Sequence, residues 1–241
     1  MDNEIVDQLA PHGVLRAGVN LGNILLVTGR MDTGDPVGVS PDMARVLADR
    51  LGVPIQYVSY PSPGAVADDV AEDAWDIGLI AVEPKRSETV TFSPAYAEIE
   101  ATYLVPAGST VTSPSDLDIP GMRIAVSDRS AYDLYLSRTL QHATLERGEG
   151  LAGTVDLFVA EGLDALAGLR PALLENAEKI ADTRVLDGRF TTVRQAIGVS
   201  PRNMAAAAFV ADFVREMRAD GTVQSFIDRH GQTGRLQVGT D

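Results

Sequence analysis

"WDIGLIAV", residues 75–82, is an almost unbroken apolar run of strand length. Such a run reads as a strand buried on both faces, the kind that occurs inside a parallel sheet. A parallel sheet needs crossover helices, and the chain supplies them on the N-terminal side. "VLRAGV" (14–19) is a second buried strand, and "PIQYVSY" (54–60) is a third, with alternation. Between them, "SPDMARVLADRLG" carries helix signals: Ser40 at the N-cap, Pro41 at the first helical position, apolar residues at 43, 46, 47 and 51, and Gly52 just past the end. "GAVADDVAEDA" predicts a further helix leading into residues 75–82, and residues 3–11 a short one before the first strand. The order β-α-β-α-β implies right-handed crossovers, with helices on both faces of the sheet.

After "ATYLVPAGS" (101–109) the same order begins again. "MRIAVS" (122–127) predicts a strand, "SAYDLYLSRTLQ" (130–141) a helix capped by Ser130, and residues 143–147 a short strand. A helix ending at Gly162, the strand "DALAG" (164–168) and the helix "RPALLENAEKIA" follow. "FTTVRQAIGVS" (190–200) is extended, and helices over 202–219 and 222–230 close the chain. Two extended connections between two α/β blocks predict two lobes joined by a two-strand hinge, near residues 103–109 and 191–200. The first lobe is expected to hold residues 1–105 plus 197–241, and the second residues 106–196.

The composition fits a globular chain: 241 residues, 45% hydrophobic. A net charge of −14 argues against nucleic acid and anionic lipid as partners. The apolar runs "ILLV" (24–27) and "MAAAAFVA" (204–211) are too short to cross a bilayer. With no cysteine, disulfides, thiolate catalysis and cysteine-ligated metal are excluded. His12, His142 and His230 lie in separate segments without ligand spacing, so neither a histidine metal site nor a Ser-His-Asp triad is expected. "GEGLAG" (148–153) matches G-x-G-x-x-G, but "ATLER" is a weak strand before it and the acid about 20 residues on, Glu175, falls inside a helix. No cofactor and no catalytic residue is expected. The N-terminus has no basic segment followed by an apolar one, so a secretory signal has either been removed or the protein stays in the cytoplasm.

Within "AVEPKRSETVTFSPAY" (81–96), Arg86 has two readings. It can pair with Glu83 or Glu88 on a solvated turn, a contact worth under ~1 kcal/mol. Alternatively it awaits an anion, because a guanidinium offers two parallel N–H donors to a carboxylate. The succession "GVLRAGV", "GVSPDMARVLADRLGV", "WDIGLIAVEPKRSETVTFSPAY", "IPGMRIAVSDRSAYDLYL" and "LDALAGLRPAL" resembles the bacterial periplasmic solute-binding proteins of amino-acid ABC importers. The resemblance runs from about residue 12 to 230 and is most specific over residues 75–96. It implies a type II two-lobed fold that closes around a small anionic or zwitterionic solute. It also implies a periplasmic location, a membrane permease as partner and a monomeric state.

The resemblance further implies that Arg86 clamps the ligand's α-carboxylate. Small hydroxyl residues are expected just before it, where Ala81 offers only its backbone. The family's glycine-hydroxyl pair at a helix N-terminus corresponds to Arg129-Ser130; the amides of Ser130 and Ala131 would then hold the carboxylate as well, although Ser130 also reads as a plain N-cap. Where the family places an ammonium-binding Asp, this chain has Leu169-Arg170. Arg170 then either attracts a second anionic group, favouring a dicarboxylate, or simply starts a solvated helix. Glu98 or Glu100 near the hinge offers an alternative acid for an ammonium group. Asn20 and Asn23 are candidates for ligand hydrogen bonds or turn residues, and Tyr60 for the pocket or the sheet rim. Two other functions stay open: a cyclohexadienyl-dehydratase-like enzyme acting on a cyclic acid, with Glu98 as general acid, and a ligand-sensing domain without a signal.

Overall fold

A computed structural model describes residues 3–240. The chain begins with helix α1 (Asn3–Leu9) and strand β1 (Leu15–Asn20), then a small hairpin of β2 (Gly29–Arg30) and β3 (Pro36–Val37). Helix α2 (Val39–Leu51), strand β4 (Ile55–Tyr60), helix α3 (Pro63–Asp68) and strand β5 (Ile77–Ala81) complete the predicted β-α-β-α-β order. β1 lies between β4 and β5, parallel to both, and every residue of β5 is buried. β6 (Thr91–Phe92) follows, and β7 (Ala97–Pro106) carries the chain out of this first unit, whose first segment ends at Glu98.

The second unit, Ile99–Val193, repeats the grammar with β8 (Arg123–Ser127), α4 (Ala131–Thr139), β9 (Thr144–Gly148), α5 (Gly150–Ala160), β10 (Ala165–Leu169), α6 (Arg170–Lys179) and β11 (Thr183–Val185). Its strands run β9-β8-β10-β7, parallel except that β10 meets β7 antiparallel, and β11 also pairs antiparallel with β7. β12 (Thr191–Val199) returns the chain to the first unit and pairs antiparallel with β5 and β6. Helices α7 (Met204–Ala219) and α8 (Thr222–Arg229) belong to that unit, as does β13 (Gln237–Val238), which pairs with Ala97 and Glu98. The units therefore divide after Glu98 and Val193, against expected divisions after 105 and 196.

α2 shows why the helices form where they do. It buries Val39, Met43, Ala44, Leu47, Ala48 and Leu51 along one face, and Gly52 ends it in the left-handed region at φ 71. Truncating a fully buried leucine such as Leu47 to alanine costs about 2–5 kcal/mol. Its start differs from the prediction. Gly38 is the cap and Ser40 lies inside the helix, because the buried Ser40 hydroxyl is bonded to Tyr96 Oη at 2.7 Å. Gly38 is required there: at φ 149 a Cβ would collide with the Leu26 carbonyl. α3 is shorter than "GAVADDVAEDA" suggests and stops at Asp68. Extending it would stack Asp68 on Glu72 and Asp69 on Asp73, like charges one turn apart.

Candidate functional site

In the first unit, β5 delivers the chain at Ala81 into a loop that folds into a 3-10 turn over Arg86–Glu88. Arg86 is not a solvated turn residue: only 5% of it is exposed, and its Nη1 donates to the Ala81 carbonyl at 2.8 Å. Ala81 thus contributes its backbone as a brace for the guanidinium. The backbone around them is tight, with the Ser87 amide on the Glu83 carbonyl and the Val90 amide on the Arg86 carbonyl, both at 2.9 Å. Glu83 is buried in the same loop. A buried guanidinium braced on the backbone of its own loop is a fixed, poorly hydrated cation, and a guanidinium of that kind suits a carboxylate.

The other first-unit candidates are more local. Asn20 ends β1 and its Oδ1 accepts the Gly22 amide at 3.0 Å; Asn23 Oδ1 accepts the Leu25 amide at 3.2 Å. Both carbonyls close turns of the residues' own loop, while their Nδ2 groups make no hydrogen bond among the described residues. Tyr60 ends β4 and packs into an apolar cluster with Val66, Trp75, Ile80 and Val90. Its Oη is buried without a partner among the described residues. Burial, and then the neighbouring Asp69, raises the phenol's pKa, so the hydroxyl stays protonated.

In the second unit, β8 leads through Asp128 and Arg129 to α4. Arg129 stands in the left-handed region at φ 56, where a glycine would be unstrained. Its amide donates to Asp133 Oδ2 at 2.8 Å, which ties down the residue before the cap, while Ser130 Oγ caps the helix by accepting the Asp133 amide at 3.0 Å. The buried Asp133 also meets Arg147 Nη2 at 3.0 Å. The Ser130 amide reaches the Ser127 carbonyl, whereas the Ala131 and Tyr132 amides make no hydrogen bond among the described residues. Burial pushes the adjacent Tyr132 hydroxyl up to about 12.

Arg170 opens α6 but does not simply face solvent. Its Nε donates to Glu100 Oε2 at 2.8 Å, Nη1 to the Leu186 carbonyl at 3.1 Å and Nη2 to the Gly188 carbonyl. Glu100 also binds Arg189 Nη1 at 2.7 Å, and Arg189 first and Arg170 second hold its carboxyl below the usual carboxylate range. Glu98 belongs to the first unit, where its Oε1 accepts the Thr240 amide at 3.0 Å and the Thr240 hydroxyl at 2.9 Å. The partners Arg189 and Thr240 lie far from these acids in sequence. The signal available was the alternation "AEIEA" (97–101): acids two apart on a buried strand share a face and need polar partners.

Residues 27–233 match the model of the bacterial extracellular solute-binding proteins, family 3. The chain belongs to that family. It is 25% identical over 232 residues to the L-cystine-binding protein TcyJ of Escherichia coli, covering 95% of this chain and 86% of the relative. An amino acid ABC transporter substrate-binding protein from Streptococcus pneumoniae, bound to L-arginine, superposes with a TM-score of 0.76 at 20% identity over 97% of this chain and 99% of that one. An ancestral amino acid-binding protein, described as a precursor of cyclohexadienyl dehydratase, gives 0.76 at 21% over 93% and 97%. The two-part α/β fold and the role of a substrate-binding protein of an ABC transporter follow from the family. Its members are extracellular, and among the described residues no helix is long and apolar enough to cross a membrane.

Proposed function

We propose that this solute-binding protein takes a small amino-acid-like carboxylate, with Arg86 as the carboxylate anchor, and hands it to a membrane permease from the periplasmic side. The observation that carries the reading is the burial of Arg86, braced on the Ala81 carbonyl at the end of a wholly buried strand. The named ligands of the relatives, cystine and arginine, share the α-carboxylate such an anchor would hold. In the second unit, the amides of Ala131 and Tyr132 at the start of α4 are a further set of donors suited to a carboxylate. The engagement of Arg170 by Glu100 and two carbonyls speaks against a second carboxylate anchor there, and so for an amino acid over a dicarboxylate. The occupation of Glu98 by Thr240 likewise removes support for a general acid and for the dehydratase reading.

The test is a thermal-shift screen against amino acids including cystine, arginine and lysine, and against dicarboxylates and cyclic acids. A ligand at about a hundred times its dissociation constant adds about 2.7 kcal/mol of stability. An α-amino acid that shifts wild type and Arg170→Ala alike, but not Arg86→Ala, supports the reading. A shift by dicarboxylates that disappears in Arg170→Ala overturns it.

A further inference from the structure

Asp-Gly occurs twice in the chain, at Asp187-Gly188 and Asp220-Gly221, and the fold treats the two pairs in opposite ways. At such a pair no Cβ on the glycine hinders its backbone nitrogen from approaching the aspartyl carboxyl carbon. Asp220-Gly221 is nevertheless held. It links α7 to α8, its Asp220 Oδ1 accepts the Thr222 amide at 2.9 Å, and its Gly221 amide donates to the Arg218 carbonyl at 3.4 Å. Asp187-Gly188 lies in the second unit, in the irregular segment between β11 and β12, and both residues are exposed. The ends of that segment are fixed to β7, with the Leu186 amide on the Tyr103 carbonyl at 2.9 Å and the Phe190 amide on the Ala101 carbonyl at 3.0 Å. Its middle is not: among the described residues neither the Asp187 carboxylate nor the Gly188 amide makes a hydrogen bond. The carbonyls on either side, of Leu186 and Gly188, both accept from Arg170.

From this contrast we infer that Asp187 is a site of spontaneous isoaspartate formation, and that the conversion loosens Arg170. The Gly188 nitrogen attacks the carbon of the protonated Asp187 carboxyl, the amide proton and the carboxyl hydroxyl leave as water, and a cyclic imide forms. Water then adds to the imide's main-chain carbonyl and breaks that carbon's bond to nitrogen. The peptide link now runs through the side-chain carbon, and the α-carboxylate is free. One water is lost and one regained, nothing is oxidised or reduced, and mass is unchanged. The chain between the Leu186 and Gly188 carbonyls grows by one carbon, so the two no longer meet the Arg170 guanidinium together as they do in the aspartyl form. Asp220, with its carboxylate and the following amide both engaged, stays aspartyl.

The test ages the full chain at physiological temperature and pH, once folded and once unfolded in guanidinium chloride. Trypsin then separates "VLDGR" (185–189) from "ADGTVQSFIDR" (219–229), and isoaspartate in each peptide is scored by methylation with an isoaspartyl methyltransferase. In the folded chain, isoaspartate should accumulate several times faster in the first peptide than in the second, and in the unfolded chain the two rates should converge. No isoaspartate at 187, equal rates in the folded chain, or the same ratio with and without denaturant would each overturn the site. Ageing should also lower the urea midpoint of wild type more than that of Asp187→Glu, whose longer side chain closes the ring poorly. It should lower wild type more than Arg170→Ala as well, which has no tie left to lose. Equal falls in all three would overturn the loosening of Arg170.

Discussion

Replacing Glu100 by Gln tests whether the Arg170 cluster is a structural tie. The carboxylate holds two guanidiniums, Arg170 at 2.8 Å and Arg189 at 2.7 Å, with side-chain exposures of 29% for Glu100, 24% for Arg170 and 55% for Arg189. The bond to Arg170 is charge-assisted and mostly shielded, which suggests about 1 kcal/mol after allowance for solvent, whereas the exposed Arg189 adds between about 0 and 0.5. The amide of Gln keeps one acceptor, so the expected loss in the second unit is about 1 kcal/mol at neutral pH. The sign of the pH dependence follows from the depressed carboxyl. Its stabilisation is full above the ordinary carboxylate range and is lost as pH falls through the lower folded-state value. Urea denaturation at neutral pH should therefore separate wild type from Glu100→Gln, and the gap should narrow as pH falls below the ordinary carboxylate range and close below the depressed folded-state value. Equal midpoints at neutral pH, or a gap that survives in acid, would refute the tie and return Arg170 to the list of free cations.

Tyr60→Phe removes a buried hydroxyl without a partner, so stability should hold or rise by up to about 1 kcal/mol, with ligand affinity unchanged; a loss of either in calorimetry would mean that the hydroxyl has a function. Ser40→Ala leaves the fully buried Tyr96 hydroxyl unpaired and should cost about 1–3 kcal/mol in urea denaturation, whereas a cost near zero would show that the bond is dispensable. Arg129→Gly relieves a left-handed side-chain residue, which gains about 1–2 kcal/mol, against a similar loss from the freer unfolded chain. The two backbone effects therefore largely cancel, and the change in urea denaturation measures the contacts that the Arg129 side chain makes; a net stabilisation above about 1 kcal/mol would show those contacts to contribute nothing.

The parallel core was legible because β5 is apolar at every position and buried at every position, so pattern and environment coincide. Gly52 and Ser130 were legible for a related reason: helix ends leave backbone groups that few residues can satisfy locally. Ser40 misled because its partner, Tyr96, lies 56 residues away, and a serine before a proline looks like a cap whatever its hydroxyl meets. The same limit applies to the site. The buried state of Arg86 depends on the carbonyl it meets in its own loop and accompanies a recognisable block. Arg170 depends on Glu100 and on carbonyls at 186 and 188, none of which its own neighbourhood in sequence announces. β13 was missed because "RLQVGTD" (235–241) is too polar and too short to read as a strand; it exists by pairing with the edge of β7.

The most direct test of the account compares binding of the best amino acid from the screen with binding of its carboxamide, in wild type and in Arg86→Ala, by isothermal calorimetry, with circular dichroism confirming that the variant is folded. If Arg86 holds the carboxylate, the carboxamide binds wild type about tenfold to a hundredfold more weakly, and that difference shrinks to near one in Arg86→Ala. A folded Arg86→Ala that still prefers the carboxylate by the wild-type ratio would contradict the account and place the anchor elsewhere.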